Sequence, residues 1–144
     1  MSKDFLDKFV HEKGRRFYPA KLPSDIERGQ TGDCFDHCLV VAAKSFGKYR
    51  YCEGKAFING KWIHHAWLTD AESARAGFVQ YAYDPTWKAF KDNGEEVAVP
   101  AHYIGAALDL NTVIDFVVKT EFKSPFANFK KNPELAQKVY DAAH

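Results

Sequence analysis

Asn59-Gly60, set between two segments of strand-forming residues, constrains this chain more than any other feature. Tyr49 to Ile58 and Lys61 to Thr69 are rich in aromatic and β-branched side chains, which favour the pleated surface of a sheet. Asn-Gly tolerates the positive φ angles of a type I′ turn, whose twist matches that of the strands it joins. A β-hairpin is therefore expected. Alternation along its second strand puts Trp62, His64, Ala66 and Leu68 on one face and Ile63, His65, Trp67 and Thr69 on the other. The adjacent histidines His64 and His65 then cannot serve one site from a regular strand.

Upstream, the polar Gly32-Asp33 runs into an apolar stretch with helical spacing. Cys34, Cys38, Val41, Ala42 and Ser45 fall on one face, so both thiols point inward. Asp33 is placed to cap the helix, and Gly47 suits its end. First-turn N–H groups and the helix dipole stabilise negative charge, including a thiolate. A cysteine at a helix start behind a glycine turn is the arrangement a nucleophile needs.

The remaining segments predict smaller elements. Phe5, Leu6 and Phe9 suggest a short helix over residues 3–12, and Pro19 and Pro23 an extended connector from Gly14. Ser24 to Gly29 reads as one helical turn. After a break from Asp70 to Gly77, Phe78 to Asp84 reads as a third strand, antiparallel to the second and ended by Pro85. Asp92-Asn93-Gly94 reads as a turn, Glu96 to Val99 as a short strand and His102 to Leu108 as a further one. Asn111 is placed to cap a helix through Lys119, and Asn132-Pro133-Glu134 to open another through Ala143. No repeat or long linker divides the chain, so residues 1–144 are expected to form one domain.

Apolar residues at 46 % and aromatics at 15 % call for a packed core. A net charge of +1 argues against a nucleic-acid partner. The N-terminal residues lack the apolar core of a signal peptide, and no run approaches the ~20 apolar residues of a membrane span, so a cytoplasmic protein without a membrane partner is expected. Three cysteines, an odd count, fit free thiols in a reducing compartment better than a disulfide scaffold. No cofactor is implied. Cys34, Cys38, His64, His65 and Asp84 are side-chain types that zinc accepts, but the histidines point oppositely and no paired ligand spacing occurs, so no metal site is expected.

An antiparallel third strand could bring Asp84 beside His64 or His65. Cysteine, histidine and carboxylate would then make a complete set of nucleophile, base and orienting group. Alternation leaves open which histidine it is. The order Gly32-Asp33-Cys34-Phe35, His65-Ala66-Trp67 and Tyr83-Asp84-Pro85-Thr86-Trp87 resembles the transglutaminase-like cysteine enzymes of the papain-like superfamily, over about residues 29–88. The resemblance implies an α+β fold in which the nucleophile helix packs on an antiparallel sheet, with His65 as base and Asp84 as its partner. It also implies acyl chemistry on an amide or related carbonyl of a protein, peptide or small molecule, as in a thiol protease, amidase or transglutaminase. The Cys34 N–H is one oxyanion donor and Gln30 a candidate for the second, while Trp67, Trp87 and Tyr18 are candidates for the pocket wall. The alternative expectation is a catalytically silent module of the same fold that binds a peptide or partner protein.

Overall fold

The computed structural model describes residues 10–29, 34–76, 79–86 and 100–119. Among them are five strands: β1 (Arg15–Pro19), β2 (Tyr49–Ile58), β3 (Lys61–Asp70), β4 (Gln80–Ala82) and β5 (His102–Leu108). Helices span Cys34–Lys44, Ala71–Ala76 and Leu110–Lys119. The hairpin forms as its sequence predicts. Asn59 and Gly60 take φ angles of 50° and 76°, and β2 pairs with β3 antiparallel from Ile58↔Lys61 to Tyr49↔Asp70.

The strands form one mixed sheet in the order β3-β2-β5-β1-β4, with only β1 and β4 parallel. It curls until its two edges meet. Leu68 of β3 and Tyr83, next after β4, exchange backbone hydrogen bonds of 2.9 and 2.8 Å in an antiparallel bridge. Strand alternation then sorts the apolar residues into two cores. Phe17, Cys52, Ala56, Trp67, Ala82, Tyr103 and Ala107 fill the inside of the curl. The outside is covered by the Cys34 helix, whose Cys34, Cys38 and Ala42 pack on Tyr49, Tyr51, Ala66, Leu68, Ala106 and Leu108, together with Val113 of the last helix.

Gly54 and Gly105 face each other across β2 and β5. A Cβ on Gly54 would lie 2.1 Å from the Ile104 carbonyl oxygen and 2.5 Å from Gly105 Cα. The two backbones approach too closely there for any side chain, which lets so few strands curl tightly.

Several elements differ from what the sequence predicts. The expected connector after Gly14 contains β1, an interior strand of the sheet; only Phe17 of its five residues is buried, so no alternating apolar pattern marks it. The expected third strand is shorter and lies parallel to β1, meeting β3 only at the Leu68↔Tyr83 bridge. The break after Asp70 holds a helical turn over Ala71–Ala76, capped by Asp70, whose carboxylate accepts the Glu72 N–H at 3.0 Å. The last helix is capped by Asp109 rather than Asn111: its carboxylate accepts the Thr112 N–H at 2.9 Å. Ser24 to Ile26 forms a turn, not a helical turn. The helix expected over residues 3–12 is described only at Val10–Lys13, which is helical. The Asp92 turn, the Glu96 strand and the helix from Asn132 lie outside the described residues, as does the Asp33 cap.

Candidate active site

The closure of the sheet brings His65 and Asp84 together. In the antiparallel bridge, residues preceding Leu68 run beside residues following Tyr83, so both side chains fall on the same side of the seam. His65 points inward with Trp67, its ring 6.5 Å away and stacked at 26°. An ionised carboxylate can only accept, so His65 Nε2–H donates to Asp84 Oδ2, at 2.7 Å. The same oxygen accepts the Tyr103 hydroxyl at 2.7 Å. The other oxygen, Oδ1, accepts the Thr86 N–H and Oγ1, each at 3.3 Å. Asp84 is thus held from three directions.

These contacts decide the charge of the imidazole. Burial opposes protonation of His65, but hydrogen bonding to Asp84, then to the Cys34 thiol, and the negative charge of both outweigh it and push the pKa up to about 9. The ring is an imidazolium through neutral pH. Cys34 opens its helix. Cys38 and Cys52 differ: burial pushes both thiols well above the ordinary range, which leaves them unreactive. All three cysteines are free. The site is shielded, with Cys34 at 6 % and His65 at 4 % exposure.

The other candidates fall elsewhere. His64 points to the outer face, where its Nε2 lies 3.1 Å from Oε2 of the fully buried Glu53, and Tyr51 donates to Glu53 Oε1 at 2.5 Å. The Phe35 ring packs on His64, centroids 4.8 Å apart. His37 donates from Nε2 to the Glu27 carbonyl at 2.6 Å and ties a surface segment to the helix. Trp67 has no exposed surface, so it packs the site from within instead of lining a pocket. Tyr18 stands on the outer wall of β1 under the Arg16 guanidinium, 5.2 Å from its ring centre, and does not join the site. Gln30 and Trp87 lie outside the described residues. Among the described residues no three His, Cys, Asp or Glu side chains are grouped to hold a metal ion.

Sequence reasoning missed Tyr103 and Glu53, and named Thr86 only as part of its motif. Thr86 stands in the Asp-Pro-Thr turn, where a threonine two residues after an aspartate is a familiar source of local hydrogen bonds. Tyr103 could be assigned to a strand but not to a neighbour, because the pairing of β5 with β2 and β1 joins segments far apart in the chain. A groove of about 760 Å³ runs along the exposed flank of the Cys34 helix, between His37, Val40 and Lys44 and the residues from Asp25 to Gly29. Neither Cys34, His65 nor Asp84 lines it.

No family model, curated protein or solved structure matches the chain. Among the described residues no helix is long and apolar enough to cross a membrane.

Proposed function

We propose that the chain is a transglutaminase-like cysteine enzyme of papain-like fold, acting on an amide or related carbonyl through Cys34, His65 and Asp84. The observation that carries this reading is the 2.7 Å contact between His65 and Asp84, with the pKa of a ring also coupled to the Cys34 thiol raised to about 9. With Nε2–H committed to Asp84, Nδ1 carries the second proton of the imidazolium, and the Cys34 sulfur is its thiolate partner in the ion pair. The thiolate attacks the carbonyl carbon, and the oxyanion that forms is met by the Cys34 N–H at the helix start, with Gln30 as the candidate second donor. The imidazolium returns its proton to the leaving group, giving a thioester on Cys34 that water or an amine resolves. The substrate is a protein, a peptide or a small amide. Three free thiols suit a reducing compartment, in keeping with a cytoplasmic protein.

Exposure of the intact protein to p-nitrophenyl acetate, followed by mass spectrometry of peptides, tests this directly. A single acetyl group on Cys34 is expected, slowed about 100-fold or more in His65→Ala. Acetylation no faster at Cys34 than at Cys52 contradicts the reading.

A second reading has an observation in its favour. Cys34 and His65 are almost sealed from solvent, and the groove beside the helix does not reach them. A binding module that keeps the fold without turnover would look like this. It predicts no acetylation at Cys34 on any timescale shorter than unfolding.

A further inference from the structure

Tyr103 has a place in this site that neither the triad pattern nor the proposed mechanism gives it. It projects from β5 into the curl, 3 % exposed, and its ring packs against Trp67, centroids 5.1 Å apart. Its hydroxyl donates to Asp84 Oδ2, the oxygen that also accepts His65 Nε2–H, and both contacts measure 2.7 Å. Burial and the neighbouring Asp84 charge push the phenol pKa far above its ordinary range, so the hydroxyl is a donor at every working pH. We propose that Tyr103 is a positioning residue that fixes Asp84 and, by sharing Oδ2 with the imidazole, tempers the carboxylate's hold on the His65 proton. This rests on the proposed Cys34–His65–Asp84 site.

One carboxylate oxygen of Asp84 accepts from two donors. A hydrogen bond to a carboxylate draws charge toward the donor and weakens the attraction left for a second one on the same atom. Asp84 without the phenol would hold the imidazolium more tightly, and an imidazolium held too tightly returns its proton to a leaving group too slowly. The other groups bordering His65 among the described residues do not duplicate this. Cys34 approaches from the helix, Cys38 acts on Asp84 and Tyr103 instead, β2 presents Gly54 opposite His65, and Arg15 lies beyond Gly105 in the same row. Glu53 and His64 occupy the outer face. Thr86 bonds the other oxygen, Oδ1, and so anchors Asp84 without competing with His65.

The test is an NMR titration of the His65 ring in the full chain, wild type against Tyr103→Phe, with a melting curve as a check on folding. The His65 pKa is expected to rise by about half a pH unit or more in Tyr103→Phe. An unchanged or lowered pKa overturns the proposal, because a role confined to packing or orientation predicts one of those results. Site-specific replacement of Tyr103 by a fluorinated tyrosine, whose more acidic hydroxyl is a stronger donor, should move the pKa the opposite way. That arm decides the matter if Tyr103→Phe does not fold, and no movement there is equally contrary. The titration reads His65 whether or not Cys34 reacts, so failure of the enzyme reading is seen separately, as an unacetylated Cys34.

Discussion

His65 carries the chemical argument, and its charge has a consequence for stability. Its pKa is about 9 in the folded protein against 6.5 for an unperturbed ring. A pKa raised on folding adds stability that is fully present below pH 6.5 and is lost as pH rises through 9. Urea unfolding is therefore expected to show resistance falling between those limits, by up to on the order of 3 kcal/mol. Asp84→Asn removes the first of the partners that oppose the burial penalty, so the pKa of the ring should fall and the slope should flatten. A slope equally steep in the variant would show that it belongs to another group. The residues responsible were partly legible in the sequence. Asp-Pro-Thr and His-Ala-Trp marked Asp84 and His65, whereas Tyr103 and Glu53 were silent, since a lone tyrosine or glutamate in a strand carries no signal of what it faces.

Elements set by local chemistry were the readable ones. Asn59-Gly60 fixed the hairpin through φ angles that few other dipeptides adopt, and Cys34 to Lys44 formed the helix its apolar spacing required. β1 was not readable, and β4 was readable as a strand but not in its pairing, because both are short and depend on partners distant in the chain: Phe17 pairs with Tyr103 on one side and Gln80 on the other. Gly54 and Gly105 went unnoticed for the same reason, yet the sheet depends on them. Gly54→Ala would drive a Cβ into the Ile104 carbonyl and the Gly105 backbone, neither of which can swing aside. A loss of about 3 kcal/mol in unfolding free energy is expected, at the upper end of overpacking costs. A variant as stable as the parent in urea would mean the strands have more room than their geometry indicates.

Closure organises the whole molecule. One bridge at Leu68 and Tyr83 joins the ends of a five-stranded sheet and turns two distant side chains toward a cysteine on a covering helix. Cys52 sits inside the curl and Cys38 between helix and sheet, both without exposed surface. Under native conditions a small alkylating agent should modify Cys34 alone, with Cys38 and Cys52 following only as the protein unfolds. Simultaneous labelling of all three by peptide mass mapping would contradict this packing. Bulky maleimides should react with Cys34 far more slowly than iodoacetamide, since the thiol is shielded on nearly every side.

The most direct measurement is the pH dependence of Cys34 alkylation by iodoacetamide, followed by mass spectrometry in the wild type and in His65→Ala. If an imidazolium stabilises a thiolate at the helix start, the wild type should react at a nearly constant rate well below the ~8.5 of an ordinary thiol, and His65→Ala should lose that acid-side reactivity. A wild-type Cys34 that follows the ordinary thiol curve, unchanged by loss of His65, would contradict the account.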